Sequence, residues 1–251
     1  MEEKLSLQRI DTVLQPDFII TDDLLSTFKN IINRLQKEEP IQYILGNTAF
    51  YGLPFLVNEN TLIPRPETEE LVEWVLKEDE KSLKILDIGT GSGCIPISLA
   101  KNLKNASISA IDISTEALEV AKQNAALNNV AIHFIEMDIL KTTSLNVKNF
   151  DIIVSNPPYV RELEKVEIKN NVLQNEPHLA LFVDDENPLL FYKKIADLAK
   201  QHLSKNGLLF FEINQYLGKE TVEMLHQKGF QSLELKKDLF GNDRMIKASL
   251  I

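Results

Sequence analysis

The sequence predicts an α/β fold, a doubly wound, mostly parallel, seven-stranded sheet preceded by a small helical N-terminal domain. Three observations carry this. From Leu62 onward, apolar runs of strand length alternate with segments of helical period, the pattern of strand–helix–strand units. The stretch Ile85 to Cys94 is an apolar run, a turn with glycine at every second position, and a helix start. The last two apolar runs are joined by a loop around Gly241-Asn242 instead of a helix, which predicts a hairpin and one antiparallel strand at the sheet's end.

Residues 1–45 form the helical domain. Leu24, Leu25, Phe28, Ile31, Ile32 and Leu35 recur at three- and four-residue spacing after a cap at Thr21, and Lys37-Glu38-Glu39-Pro40 closes that helix. Residues 46–64 read as a connector, with a short hairpin from Phe50 to Val57 around Gly52. The third unit, 65–251, opens on Pro64-Arg65-Pro66-Glu67-Thr68-Glu69-Glu70. Pro66 suits a first helical turn, and the glutamates complement the positive end of the helix dipole. Leu71, Val72, Val75 and Leu76 supply that helix's apolar face. Strands are then expected at 84–88, 108–112, 131–135, 150–155, 207–213, 231–235 and 245–250. Helices are expected at 95–103, 115–127, 189–202 and 217–228.

At 251 residues, with 44% apolar and 25% charged content, the chain has ordinary globular composition and room for one large domain with a small accessory. No apolar run approaches the roughly 18 residues of a membrane span, and the start, Met1-Glu2-Glu3-Lys4, lacks a signal core. Cys94 is the single cysteine, which rules out disulfides and cysteine-rich zinc sites. His133, His178, His202 and His226 lack ligand spacing, so no metal is expected. Together these features predict a cytoplasmic protein without a membrane partner. A net charge of -10 and scattered lysines argue against a nucleic acid substrate.

Two motifs carry chemistry. The first is Asp87-x-Gly89-x-Gly91-x-Gly93, with Thr90 and Ser92 between the glycines. A dinucleotide fingerprint needs its third glycine one residue later, where Cys94 stands, and no Gly-Lys-Ser/Thr follows for a phosphate loop. The pattern resembles the first motif of class I S-adenosylmethionine (SAM) methyltransferases. Asp87 would then meet the cofactor's cationic amino group, and Asp112, about 20 residues after the loop, its ribose hydroxyls. Asp138 and Ile139 would lie where the adenine sits.

The second motif is Asn156-Pro157-Pro158-Tyr159, directly after the apolar run 150–155. Neither proline can donate to a sheet ladder, so the strand stops there. The Asn156 side-chain carbonyl and the Pro157 main-chain carbonyl can accept from an NH2 group, Pro158 stiffens the wall, and Tyr159 can stack on a planar acceptor. The motif fits exocyclic amines of adenine, cytosine or guanine, or a glutamine amide.

Over nearly its whole length the chain resembles the HemK/PrmC family of glutamine methyltransferases. The resemblance rests on Pro40-Ile41-Gln42-Tyr43-Ile44-Leu45-Gly46, Leu62 to Glu69, the cofactor loop, Asp112-Ile113-Ser114, Asn156 to Tyr159, and Glu176-Pro177 with Ala180-Leu181. It implies a helical domain joined by a hairpin to a Rossmann-like SAM-binding domain. It further implies methylation of the glutamine in the Gly-Gly-Gln loop of peptide-chain release factors. Gly89 to Gly93, Asp112, Ile139 and Asn156 would hold cofactor, and Asn156 to Tyr159 the substrate glutamine. Arg65 and Glu67 would shape the site. The helical region is shorter than the family's, and the Asp-Leu...Gly...Arg pattern at Asp238 to Arg244 has altered residues between.

Overall fold

The computed structural model describes residues 7–8, 10–15, 17–78 and 83–250; the residues read above for a leader, Met1 to Lys4, lie outside these. Two helices come first, α1 (Asp11–Leu14) and α2 (Asp22–Gln36). Thr21 caps α2 by accepting from the Leu24 N–H, and Asp22 and Asp23 sit in its first turn, at the positive end of the dipole. The expected apolar stripe is present, but no residue of α2 is buried. A short α3 (Ile41–Leu45) follows Pro40 and stops at Gly46, whose φ of 79° a left-handed helix terminator requires. The strands β1 (Asn47–Phe50) and β2 (Leu53–Leu56) then pair as the expected antiparallel hairpin.

The sheet-forming chain runs α4 (Pro66–Leu76), β3 (Lys84–Ile88), α5 (Cys94–Asn102), β4 (Ser107–Asp112), α6 (Thr115–Leu127), β5 (His133–Glu136) and β6 (Phe150–Ser155). An excursion follows: β7 (Val160–Arg161), a 3-10 turn at Glu162–Glu167, α7 (Asn170–Asn175), α8 (His178–Leu181) and β8 (Phe182–Val183). The chain ends with α9 (Leu190–His202), β9 (Leu203–Glu212), α10 (Gly218–Gln227), β10 (Gln231–Lys237) and β11 (Asp243–Ser249).

The seven strands lie in the order β10-β11-β9-β6-β3-β4-β5. β10 and β11 form the expected hairpin, but the antiparallel strand is not at the sheet's end: β11 inserts between β10 and β9 and runs antiparallel to both. Composition explains the placement. Met245, Ile246 and Ala248 of β11 are fully buried, as an interior strand requires, whereas β10 reads Gln-Ser-Leu-Glu-Leu-Lys-Lys and tolerates an edge. β9 also starts earlier than expected, because Leu203 pairs with Phe150 ahead of a register shift. Gly207 lies inside that shift, where a side chain would meet the Phe150 carbonyl at 2.9 Å.

Successive strand residues pack into two cores, one on each face. Leu86, Ile153 and Phe211 join Tyr192, Ile195 and Leu225 of α9 and α10 on one face. Ile85, Ile152, Val154 and Phe210 join Leu71, Val75, Ile97 and Leu99 of α4 and α5 on the other. Trp74 meets Phe210 edge to face at 5.5 Å, which anchors α4 on the sheet.

Candidate active site

β3 is flanked by β4 on one side and β6 on the other, so chain connections leave it in opposite directions. At such a switch point the loops beyond the carboxyl ends part and leave a crevice. A cavity of about 460 Å3 occupies it, within the usual range for a small-molecule site.

The first wall is the loop after β3. The Gly89 and Thr90 N–H groups both donate to the Ile111 carbonyl, at 2.8 and 3.0 Å, which ties the loop to β4. Gly89, Gly91 and Gly93 all have positive φ, near 77°, 54° and 79°. A Cβ on Gly89 would stand 3.9 Å from the Asn156 carbonyl, so the loop and the end of β6 are neighbours across the crevice. Asp112, at the end of β4, accepts from the Gly91 N–H at 2.7 Å and from the Ser114 N–H at 3.0 Å. Its carboxylate thereby stands on the cavity wall, and burial raises its pKa against those backbone donors.

Beneath the loop lies Asp87, completely buried. Among the described residues neither of its oxygens has a hydrogen-bond partner, nor has the nearby Thr90 hydroxyl. Burial pushes the Asp87 carboxyl up to about 7, with the nearby Thr90 hydroxyl pulling the other way without reaching hydrogen-bond geometry. A buried carboxyl without donors is costly, and a cation brought close would relieve that cost.

The opposite wall is the end of β6. Asn156, Pro157 and Pro158 line the cavity, with Thr68 and Arg65 from the start of α4. The Asn156 Nδ2 donates to Thr68 Oγ1 at 3.3 Å, and the Thr68 hydroxyl donates to Glu212 Oε2 at 2.6 Å. The Tyr159 hydroxyl donates to the other Glu212 oxygen at 3.0 Å.

The comparisons with known proteins fit this arrangement. The methyltransferase small domain family matches residues 67–181, and the PrmC N-terminal domain family matches residues 1–46. A release factor glutamine methyltransferase of Flavobacterium psychrophilum is 62% identical over 97% of this chain and 87% of its own length. One of Bacteroides thetaiotaomicron is 45% identical over 98% of this chain and 89% of its own. The chain belongs to the release factor glutamine methyltransferase family. In fold it is similar to a methyltransferase from Pyrococcus furiosus, with a TM-score of 0.59 at 19% identity over 88% of this chain and 98% of that one.

Most residues singled out in this family member from its sequence converge on the cavity: Gly89, Thr90, Gly91, Ser92, Asp112, Asp138, Ile139, Asn156, Pro157, Pro158 and Arg65. Others lie off its wall or are engaged with neighbouring groups of the protein. Asp87 and Gly93 sit behind the wall. Tyr159 also lies off it: its hydroxyl donates to Glu212 and its ring packs against the core. Asp138 lines the cavity but caps its own loop, accepting from the Leu140 N–H at 3.0 Å and pairing with Lys141 at 2.9 Å. Arg65 pairs with the fully buried Glu176 at 2.6 Å, and Glu176 also accepts from the Ile63 N–H, so the pair fastens the loop before α4. Glu67, half-buried on the first turn of α4, is outside the wall. Cys94 opens α5, is partly buried and lines the cavity, and desolvation pushes its thiol up to about 12.

Four residues to which the sequence assigned no part in the site support it: Thr68 and Glu176, which stand within the family's motifs, and Glu212 and Asn124, which do not. Asn124, buried on α6, accepts from the Leu56 N–H at 2.6 Å and donates to the Leu56 and Ser92 carbonyls at 3.0 and 2.9 Å. One amide thus ties the β1–β2 hairpin to the glycine loop. Glu212 had a visible signal, a carboxylate ending the apolar run Leu208 to Phe211. The others pair with positions too distant in sequence to be foreseen.

Proposed function

We propose that this chain transfers a methyl group from SAM to the side-chain amide nitrogen of the glutamine in the Gly-Gly-Gln loop of a peptide-chain release factor, and so tunes translation termination. The observation that carries the reading is the clamp at the end of β6. Asn156 spends its NH2 on Thr68, and among the described residues no hydrogen bond engages its Oδ1, which is left to accept from a substrate NH2.

The cavity also fits the cofactor. Its cationic amino acid end suits the donor-starved Asp87 under a loop with no side chains at Gly89 and Gly91. Asp112 can accept from ribose hydroxyls, and Ile139 gives an apolar wall for a flat base. When bound, SAM supplies an electrophilic methyl carbon on a sulfonium. The protein's part is orientation. Asn156 Oδ1 and the Pro157 carbonyl accept from the two N–H groups of the glutamine amide and turn its lone pair toward the cofactor side. Pro157 and Pro158 keep those acceptors rigid, and Tyr159 braces the loop through Glu212.

The test is incubation with SAM and a release factor, followed by mapping of methyl groups by mass spectrometry. Methylation of the Gly-Gly-Gln glutamine is expected. Its absence, with methyl appearing on nucleic acid instead, would sink the proposal. Asn156→Ala should nearly abolish transfer and leave SAM binding weakened but measurable.

A further inference from the structure

We propose that Thr68 and Glu212 form a one-way hydrogen-bond relay that fixes which end of the Asn156 amide meets the acceptor, making both of them positioning residues for methyl transfer. The inference rests on the reading of Asn156 as the acceptor clamp.

An asparagine amide is nearly symmetric in shape, so packing alone does not decide whether oxygen or nitrogen faces the cavity. The direction must come from hydrogen bonding, and here it begins at Glu212. β9 lies beside β6 with Ser155 opposite Phe211, which places Glu212 next to Asn156 at the carboxyl end of the sheet. Glu212 is almost completely buried, and both its oxygens are occupied: Oε2 by the Thr68 hydroxyl at 2.6 Å and Oε1 by the Tyr159 hydroxyl at 3.0 Å. Burial raises the Glu212 pKa, but the Thr68 and Tyr159 hydroxyls both donate to it and oppose that shift, holding the group as an acceptor. Thr68 has one hydroxyl proton, and Glu212 takes it. The Thr68 oxygen can then only accept, and the group 3.3 Å away is the Asn156 Nδ2. The flipped amide would set Oδ1 against an oxygen with no proton to give. The relay therefore points Asn156 Oδ1 at the cavity, where a glutamine NH2 must be gripped.

Thr68 is itself buried within the first turn of α4, so the relay is held by the helix that opens at Pro66. The Tyr192 hydroxyl donates to the Glu212 main-chain carbonyl at 3.1 Å, which fixes the backbone from which the relay starts.

The experiment compares purified full-length wild type, Thr68→Val, Thr68→Ser and Glu212→Gln on one release factor, with kcat, KM for that factor and SAM affinity by calorimetry measured for each. Thr68→Val keeps the shape and removes the hydroxyl. It should lower kcat by about 10- to 100-fold, the worth of a misdirected polar contact in the transition state, with SAM affinity changed less than about threefold. Thr68→Ser should restore kcat to within about threefold. Glu212→Gln, whose own amide can turn either way, should fall like Thr68→Val and covers the case in which the valine variant fails to fold. A Thr68→Val enzyme with wild-type kcat would overturn the relay, as would an equal loss of kcat and SAM affinity, or a serine variant no better than valine. A wild-type enzyme that methylates no glutamine would instead overturn the functional reading beneath it.

Discussion

Alanine at Gly93 and at Gly91 should damage different properties of the protein. Both glycines have left-handed backbones, φ 79° and 54°, which cost an L-residue roughly 1–2 kcal/mol. Reduced freedom of the unfolded chain returns about 0.4–1 kcal/mol in each case. Beyond that the positions differ. A Cβ on Gly93 would lie 2.9 Å from the Ile97 Cδ1 and 3.2 Å from the Ala121 Cβ, both in fully buried residues at the contact of α5 with α6. The methyl on Ile97 can swing; the Ala121 Cβ moves only with its helix. Overpacking of this kind costs about 1–3 kcal/mol more. A Cβ on Gly91 meets nothing within 4 Å. Urea unfolding should therefore find Gly93→Ala less stable than Gly91→Ala by about 1–3 kcal/mol. Calorimetric SAM binding should rank them the other way, because Gly91 lines the cavity and Gly93 does not. Equal stability losses in the two variants, or a greater affinity loss for Gly93→Ala, would refute the division between a glycine for packing and a glycine for access.

Two further outcomes concern buried charge. The folded protein holds the Asp87 proton up to about pH 7, against a reference value of 3.8, so this group's contribution to stability is full below about pH 4 and fades as pH rises through 7. Asp87→Asn removes the titration. In the cofactor-free protein, the stability of wild type relative to that variant should drop by up to about 4 kcal/mol from about pH 4 to pH 8; parallel pH profiles in urea unfolding would contradict the assignment. Glu176→Ala removes the partner of Arg65, whose side chain is 31% exposed, and frees the Ile63 N–H. A loss of about 2–4 kcal/mol is expected, below the full cost for a deeply buried pair because water still reaches Arg65, and thermal unfolding checks it.

Much of the fold could be read because its periods are long and strong. The strands at 84–88 and 150–155 and the helix at 115–127 fall where alternation and helical spacing put them. The excursion from Val160 to Val183 was not foreseen, since its pieces are too short to show a period. The place of β11 depends on which of two hairpin strands is more apolar, a comparison that strand detection does not make. At the site, local motifs delivered the residues on the cavity wall. The residues that hold them were hidden, because Thr68 and Glu212 stand 144 positions apart and Asn124 is 68 from Leu56. Spacing rules also do not tell a wall from its backing: Asp87, Gly93 and Tyr159 belong to the right motifs and stand one layer behind.

The Asn124 amide has a mechanical consequence. A short hairpin ahead of the main sheet is an obvious place for a hinge, yet β1–β2 is bolted to α6 by Asn124 and, through the Asn128 side chain, at the Pro54 carbonyl. α3 is drawn onto the same frame by the Tyr43 hydroxyl, which donates to the Thr61 carbonyl at 2.6 Å. The segment from Ile41 to Val57 is therefore fastened to the frame that carries the glycine loop. Arg34 and Glu39 pair across the turn from Lys37 to Pro40, so the exit from α2 is held as well.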